Sequence, residues 1–345
     1  MLADKLDYVI GVDSHRDRHA FAVLAATGAV EAEYVFPANS GGYAEALAAA
    51  EAHAPGRRVW AIEGTGCYGA GLGRFLSSRG ERVFEVERPK RSNSRARLKS
   101  DPLDAIRAAR AGLAGDQLAY PRAAGQRESL RALLTTRAGA VAAKQAALCQ
   151  LRSLIVSSPE PLRAQLRPLT RTALLRRCAR LRPRLGNERA DTLLALRCCA
   201  RRALAAEQES LELERAITTR VSQLAPKLLD EPGVGPICAA QLLISWSHPQ
   251  RLRSEAAFAR LAGAAPIPAS SGQTTRHRLD RGGDRQLNRA LHTIILARSK
   301  HHPPTIAYIH HRTTNGKNKR EAIRCLKRYL ARHLYRLLET TPTPT

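Results

Sequence analysis

Acidic and aromatic residues are scarce in this chain. Its 345 residues include 30 Asp and Glu against 56 Lys and Arg, which gives a formal net charge of +26. A charge of this size exceeds what solubility requires and indicates a polyanionic partner, for which nucleic acid is favoured over an anionic membrane surface. Genome base composition is an alternative source of part of the Arg excess, although the basic residues are grouped in patches. With only 5 Phe, 8 Tyr and 2 Trp, extensive base stacking is not expected, so contacts to the phosphate backbone should dominate.

Metal-binding cysteine motifs and long apolar runs are also absent. The 7 cysteines are scattered without C-x-x-C pairs and their number is odd, which predicts reduced thiols. No stretch approaches the roughly 18 apolar residues that a membrane span requires. The first residues, MLADKLDYVIGVD, do not form a basic region followed by an apolar run. These absences predict a cytoplasmic protein without a membrane partner.

The order of the hydrophobic runs predicts an α/β domain over residues 1–120. Three β-rich runs, YVIGVD, HAFAVLAA and AVEAEYVF, follow one another with short turns between them. Helix, strand, helix, strand and helix patterns then alternate, and the last helix extends from Asp101 to Leu113. The predicted order is therefore βββαβαβα, in one mixed sheet.

The remainder of the chain is predicted to be helical. Residues 121–226 are rich in Ala, Leu and Arg with breaks at SSPEPL and RPRLGN, which indicates a helical, coiled-coil-like linker domain. An apolar stripe in its last helix needs a partner in this chain or in a second copy. Its members are Leu213, Ile217, Val221 and Leu224. Residues 227–340 form the third predicted domain, which ends in an amphipathic helix with a basic face.

The segment GTGCYG, residues 64–69, matches the G-x-G-x-x-G pattern of dinucleotide-binding folds. Glu85 and Glu87 follow about twenty residues later, as such folds require. However, three strands precede the motif, and Glu63 would place a carboxylate against a pyrophosphate. A nicotinamide site is therefore the less favoured interpretation.

Four acids have positions that predict one site. Asp13 ends the first strand, Glu63 ends the fourth, and Asp101 and Asp104 begin the closing helix, so all four can converge at one edge of the sheet. Oxygen ligands of this kind suit Mg²⁺, and two such ions can stabilise the attacking and leaving oxygens of a phosphodiester. The alternative for Asp101 and Asp104 is an N-cap followed by a capping-box acid. The arrangement resembles a ribonuclease-H-like nuclease core.

A basic loop without acids precedes the closing helix and is predicted to attract phosphate. Its six basic residues are Arg88, Lys90, Arg91, Arg95, Arg97 and Lys99.

The acidic segments GVDSHRDRH, IEGTGCYGAGL and KSDPLDAIRAAR resemble the three acidic blocks of the DEDD transposases of the insertion-sequence-110 family. Members of that family are similar in having a long helical insertion and then a domain that opens with a PGVG-like turn. That domain carries Ser-Gly in a loop before a basic glycine turn. This chain has PGVG at residues 232–235 and then PIPASSGQTTRHRLDRGGDRQLNRAL.

The resemblance implies specific roles for residues of this chain. Asp13, Glu63, Asp101 and Asp104 would be the catalytic, metal-binding acids. The nucleophilic serine would be Ser271, immediately before Gly272, with the adjacent Ser270 as the alternative. The implied activity is excision and insertion of the element's own DNA through a covalent phosphoserine, guided by a structured bridge RNA.

Two further features are candidate phosphate contacts. The turn EPGVGP, with Gly233 and Gly235, is either a helix-hairpin-helix element that meets a DNA phosphate through backbone amides or a plain connecting turn. Basic residues around the proposed serine would hold the scissile phosphate or form a solvated face. They are Arg276, Arg278, Arg281 and Arg285. The histidines near Asp13, His15 and His19, are interpreted as ordinary.

The sequence therefore predicts a DNA transposase or recombinase that binds Mg²⁺ and acts as a homodimer or homotetramer, with the stripe that ends at Leu224 as a candidate contact. The first alternative is a metal-only DNA junction nuclease that needs no serine. The second is a non-catalytic nucleic-acid-binding relic.

Overall fold

The structure, a computed structural model, describes residues 6–86, 101–115, 118–184, 186, 188–268, 277–278, 280 and 282–340, without the side chains of Asp101 and His277. The chain forms two compact units. Unit 1 contains Met1–Ala124 and Trp246–Ala259, and unit 2 contains Gly125–Ser245 and Arg260–Thr345. The division of the sequence into three domains stays a prediction.

Unit 1 contains a five-stranded mixed sheet. Its elements are β1 Tyr8–Ser14, β2 Arg18–Ala25, β3 Val30–Pro37, α1 Ser40–His53, β4 Arg58–Glu63, α2 Ala70–Ser78, β5 Val83–Val86 and α3 Asp101–Ala114. The strand order is β3-β2-β1-β4-β5. Strand β2 is antiparallel to β1 and β3, whereas β4 is parallel to β1 and β5. The predicted α/β domain at the N-terminus is confirmed, with the predicted order of elements.

Both faces of the sheet are covered. Val9 and Ala61 belong to the apolar cluster on the α3 side, whereas Ile10, Trp60 and Ile62 belong to the cluster with α1 and α2. Since successive side chains of a strand point to opposite faces, a strand that is covered on both sides must be apolar at nearly every position. This is why β1 and β4 appear in the sequence as uninterrupted apolar runs.

Helix α3 packs directly on β1 at Gly11. A Cβ atom on Gly11 would overlap the backbone oxygen of Ala105 and the backbone nitrogen of Ala109. Further along the same helix, a Cβ on Gly112 would lie 3.0 Å from Cγ1 of Val9. Because residues 105 to 112 of α3 pass from Gly11 back toward Val9, the helix runs opposite to β1. Its first turn therefore lies near the C-terminal end of that strand.

A partly buried ion pair joins β4 to the segment before β5. Arg58 Nη2 donates to Glu81 Oε1 at 2.6 Å, and Trp60 Nε1 donates to Glu81 Oε2 at 2.9 Å. Burial raises the pKa of Glu81, but the hydrogen bonds from Arg58 and Trp60 outweigh that effect and hold the pKa below its ordinary value.

The second segment of unit 1, Trp246–Ala259, joins the N-terminal sheet although it lies far along the chain. Arg251 is only 4% exposed in its side chain and pairs with Glu85 of β5 at 3.3 Å. Burial lowers the pKa of this guanidinium, and Glu85 partly restores it. Ser247 Oγ accepts a hydrogen bond from the Ala123 backbone N–H at 2.8 Å. Polar contacts of this kind give no periodic signal in the sequence.

Two long antiparallel helices dominate the first part of unit 2. They are α4 Gln126–Val156 and α7 Glu188–Leu224, with α5 Glu160–Leu166 and α6 Arg171–Ala179 between them in the chain. Lys144 Nζ contacts Glu207 Oε1 at 2.6 Å, and Arg137 Nη2 contacts Glu214 Oε2 at 2.8 Å. Residue 144 of α4 pairs with residue 207 of α7, whereas the earlier residue 137 pairs with the later residue 214. The two helices therefore run in opposite directions.

Two of the four side chains in the apolar stripe of α7 are covered within this chain. Ile217 and Val221 are both fully buried. The hypothesis that this stripe is a contact to a second copy is therefore wrong for these two side chains, because a residue without exposed surface cannot contact another molecule.

The remaining helices and a β-ribbon complete the described chain. They are α8 Pro226–Leu229, α9 Pro236–Trp246, α10 Glu255–Leu261, β6 Ile267–Pro268, β7 His277–Arg278, α11 Arg285–His301, α12 Pro303–Thr314 and α13 Lys319–Glu339. The apolar face of the predicted final helix is buried at Ile323, Leu330 and Leu334. In the described residues, every helix is too short or too polar to cross a bilayer.

Replacement of Gly11 by Ala should destabilise unit 1, because the new methyl group forces α3 away from β1. We expect the free energy of unfolding to fall by about 1–3 kcal/mol or more. The matched control is Gly73→Ala in α2, where an added Cβ meets nothing within 4 Å and stability should be unchanged or slightly raised. Both tryptophans, Trp60 and Trp246, are buried in unit 1, so urea unfolding followed by tryptophan fluorescence reports on this unit. Equal stability of Gly11→Ala and the parent would refute the close packing.

Glu81 should make the stability of unit 1 depend on pH. Its pKa is lowered by folding, so its contribution is fully present above the ordinary value of 4.5 and is lost as the pH falls through the folded pKa. Glu81→Gln should cost about 1–3 kcal/mol at neutral pH and remove this part of the acid dependence. The control is Glu45→Gln, on the exposed face of α1. Parallel pH profiles for Glu81→Gln and the parent would contradict the assignment.

Candidate active site

Two of the predicted acids are neighbours in the sheet. Strands β1 and β4 are parallel, and Val12 pairs with Ile62, so Asp13 and Glu63 follow side by side at the C-terminal ends of the two strands. Alternation along the strands places them on the same face as Val9 and Ala61, which is the face that α3 covers. Ser14 Oγ donates to the backbone oxygen of Glu63 at 2.7 Å, which fixes the two strand ends to each other.

The first turn of α3 brings further acids to this edge. Asp104 precedes Ala105, whose backbone lies against Gly11, and Asp104 lies one turn before the buried Ala108. Asp104 is therefore at the same end of the sheet as Asp13. Asp101 is the first residue of α3, and its side chain lies outside the described part of the structure.

Each described acid on this edge already has a polar neighbour. Asp13 is 3% exposed, and its Oδ2 lies 3.0 Å from Nε2 of His15. Asp104 forms an ion pair with Arg107, one turn further along α3. A buried carboxylate is costly unless a cation or a hydrogen bond compensates it. Among the described side chains, no three His, Cys, Asp or Glu groups lie close enough together to share a metal ion.

The two histidines near Asp13 differ in environment. His15 contacts the carboxylate of Asp13, and the signal for this contact was its place two residues after a strand-ending acid. His19 is 2% exposed and stacks on Tyr43, with ring centroids 5.8 Å apart. Burial and the neighbouring His15 lower the pKa of His19, so its neutral form is favoured. His19 is therefore a core residue of unit 1, whereas His15 belongs to the edge with the acids.

Two of the three glycines of GTGCYG have a structural explanation in this fold. Gly64 has φ +74°, and a Cβ on Gly69 would lie 2.9 Å from Cγ2 of Ile62. The turn is closed by backbone N–H groups of Cys67 and Gly69, which donate to the oxygen of Gly64 at 2.9 and 3.2 Å. The segment follows β4, not the first strand of the sheet. The tight turn against β4 therefore explains why glycine stands at positions 64 and 69.

The PGVG turn is anchored inside unit 2. Gly233 has φ +76°, and a Cβ there would lie 3.0 Å from the backbone oxygen of Ile294 in α11. Arg298 Nε donates to the oxygen of Pro232 at 2.6 Å, and its Nη2 donates to Glu231 at 2.8 Å. Gly233 is thus explained by packing, whereas a Cβ on Gly235 would meet nothing within 4 Å. Phosphate contacts at Gly233 and Gly235 stay predictions.

The proposed serine lies outside the described residues, but the strands that flank it do not. Ile267 of β6 pairs with Arg278 of β7, so residues 269–276, which contain Ser270 and Ser271, connect the two strands of a ribbon. Arg278 and Arg285 are exposed. The other predicted basic contacts also lie outside the described part: Arg88, Lys90, Arg91, Arg95, Arg97, Lys99, Arg276 and Arg281.

Two family models match this chain, one over the N-terminal sheet and one over the segment with the ribbon. A model of the DEDD transposases of the IS110 type, described as a transposase, matches residues 10–158. A second model, described as the transposase IS116/IS110/IS902 family, matches residues 225–310. The "Insertion element IS110 uncharacterized 43.6 kDa protein" of Streptomyces coelicolor is 30% identical over 133 residues, which are 38% of this chain and 33% of that protein. The match therefore spans about a third of that relative's length.

The first matched segment contains all four predicted acids, and the second contains Ser271. Both models describe the same kind of transposase and together match more than half of the chain, which therefore belongs to the IS110 family of transposases.

Proposed function

We propose that this protein is a DNA transposase that cuts and rejoins strands through a phosphoserine formed at Ser271, with a divalent metal, Mg²⁺, held by Asp13, Glu63, Asp101 and Asp104. The observation that carries the proposal is the register of β1 and β4, which sets Asp13 beside Glu63 on the face that α3 covers, at the end where the first turn of α3 carries Asp104. Acidic side chains from separate elements that meet at the C-terminal ends of sheet strands form a candidate functional site.

The sheet supports a ribonuclease-H-like core. An antiparallel meander is followed by two parallel strands, in the order β3-β2-β1-β4-β5. Acids end the first and fourth strands of this sheet, where functional side chains of α/β sheets collect.

The residues of the acidic edge fit a divalent cation. They offer carboxylate oxygens, which are the ligands that Mg²⁺ prefers, and Asp13 is buried, with His15 as a polar neighbour. Arg107 now balances the charge of Asp104, a role that a bound cation would share. When bound, the metal would stabilise the negative charge that develops on the attacking and leaving oxygens.

The covalent step exchanges one ester bond at the phosphorus for another, so their number stays constant. Oγ of Ser271 attacks the scissile phosphorus, its P–O bond forms as the bond to the leaving strand breaks, and the serine proton leaves to a base while the departing oxygen gains one. A hydroxyl of a second strand then attacks the phosphoserine and releases Ser271. A serine hydroxyl is a weak nucleophile without activation, so Ser271 needs a base or a metal ion that lowers the cost of its deprotonation.

We also propose the partners that the family resemblance implies. These are the DNA of the element ends and of the target, a structured guide RNA, and further copies of this chain in a dimer or tetramer in the cytoplasm. The antiparallel pair α4 and α7 would be the coiled-coil-like insertion. A metal-only nuclease and a non-catalytic relic remain the alternatives that the experiments below separate.

Ser271→Ala should abolish the covalent protein–DNA species. We expect the adduct, measured on denaturing gels with labelled element ends and Mg²⁺, to fall by about a thousandfold or more. Ser270→Ala is the matched control, since it removes the adjacent hydroxyl and should retain the adduct. Adduct formation by Ser271→Ala would refute the assignment, and DNA cleavage without an adduct in the parent would indicate the metal-only nuclease.

Asp13→Asn should weaken divalent metal binding and cleavage together, because it removes a charged ligand from a buried position. We expect Mn²⁺ affinity, measured by calorimetry, to fall by at least about tenfold. Asp17→Asn is the control, because Asp17 is exposed at 76% of its side chain in the turn after β1. Unchanged metal affinity in Asp13→Asn would exclude this site, and a parent protein that neither binds metal nor cleaves DNA would be the non-catalytic relic.

A further inference from the structure

A cavity of about 940 Å³ opens in unit 2, outside the acidic edge. It lies between the turn at Gly263, Arg278 of the ribbon, Arg312 of α12 and the side of α13 that includes Tyr329. Its volume is at the upper end of the range of pockets that enclose small organic ligands, about 300–1,000 Å³. A cavity of this size can accept nucleotides of a single strand.

The cavity is strongly basic. Seven of its lining residues are Lys or Arg and two are Asp or Glu, so the charges cannot balance within the lining. Both acids also bind backbone groups of their own segments: Glu321 accepts from the N–H of Asn318 at 3.0 Å, and Asp280 accepts from the N–H of Gly282 at 2.8 Å. Like charges concentrated in a concave surface repel one another and attract an anion.

The cations of α13 form a row. Arg320, Arg324, Arg328, Arg332 and Arg336 are each four residues apart, which places successive arginines about 6 Å apart along one side of a helix. The middle three line the cavity. A row of evenly spaced guanidinium groups suits a chain of phosphates better than a single small anion.

One cation that lines the cavity is held in place by hydrogen bonds. Lys327 Nζ donates to Oδ1 of Asn288 at 2.8 Å, and Asn288 Nδ2 donates to the backbone oxygen of Ala262 at 2.6 Å. Burial and the nearby Arg324 lower the pKa of Lys327. An anion at this position would offset both effects.

An aromatic side chain lines the same cavity. Tyr329 is 56% exposed, although it is a large aromatic side chain. It packs edge-on against Tyr308, with centroids 6.0 Å apart, and the guanidinium of Arg312 lies 5.8 Å from the Tyr308 ring centroid. An exposed ring beside a row of cations is the arrangement on which single-stranded bases stack.

We propose that this cavity binds a single-stranded segment of nucleic acid, with a base on Tyr329 and its phosphates on Arg324, Arg328 and Arg332. The inference rests on the proposed function in that it gives the transposase a second contact with its nucleic acid, but it needs neither Ser271 nor a metal. Phosphates and bases are common to DNA and RNA, and the test distinguishes these two sources of the strand.

The test measures the affinity of the full chain for labelled oligothymidylate and oligouridylate over a range of salt concentrations. Arg324→Gln with Arg328→Gln should weaken binding and lower the slope of log K against log salt by about 0.7 for each phosphate that the variant no longer neutralises. Arg176→Gln with Arg177→Gln is the matched control, because it removes the same charge from exposed positions of α6 that do not line the cavity. Equal affinities and slopes for the Arg324 and Arg328 double variant and the parent would overturn the phosphate contacts.

The contribution of the ring is tested separately. Tyr329→Ala should weaken oligonucleotide binding by about five- to a hundredfold, Tyr329→Phe should retain binding, and heparin, a polyanion without bases, should bind Tyr329→Ala as it binds the parent. A higher affinity for oligouridylate would identify RNA as the source of the strand, and the reverse would identify DNA. An equal weakening of heparin and oligonucleotide binding in Tyr329→Ala would overturn the base-stacking contact.

A third readout locates the bound strand. Cys325 lines the cavity, whereas Cys149 is exposed on α4 outside it. The oligonucleotide should slow alkylation of Cys325, measured by peptide mass spectrometry, and leave Cys149 unaffected. Ser271→Ala should show the same protection although it forms no covalent adduct, so the two proposals can fail independently. Unchanged alkylation of Cys325 at saturating oligonucleotide would overturn the inference.

Discussion

The contact between α3 and β1 at Gly11 is the constraint on which the acidic edge depends. Only a residue without a Cβ allows the backbone of Ala105 and Ala109 to lie against the strand. This contact fixes where α3 begins, and so brings Asp104 to the strand end that carries Asp13. Without it, the helix would lie farther from the sheet by the thickness of a side chain, and acids from three elements would not share one edge.

The chain places its charges in two contrasting ways. On unit 1 the acids are gathered at a sheet edge, and Asp13 and Asp104 are compensated by His15 and Arg107. In unit 2 the basic side chains of α13 line a cavity in which cations outnumber acids. In the function proposed above, the acids of unit 1 would hold a cation and the basic cavity of unit 2 would attract a polyanion.

Much of the fold could be predicted because its signals are local. Apolar runs on β1 and β4, short turns and helical periodicity gave the order of the elements in unit 1. Contacts between distant residues gave no such signal. Arg251 pairs with Glu85, although 166 positions separate them, and Ile217 is buried within the chain, whereas its periodicity fitted an internal or an external partner equally well. Likewise, the glycines of GTGCYG matched a ligand-binding pattern, but the positive φ of Gly64 and the packing of Gly69 against Ile62 explain two of them.

The sequence by itself determined the kinds of chemistry available: four acids at element ends, a surplus of cations, and the family resemblance that these segments carry. These properties depend on residue identity and on spacing within single elements. Only the tertiary structure decided which groups meet, including the adjacency of Asp13 and Glu63, the contact of His15 with Asp13, and the cavity beside Tyr329. The reason is physical: strand register and helix packing are fixed by burial of apolar surface over the whole unit, and no single segment contains that information.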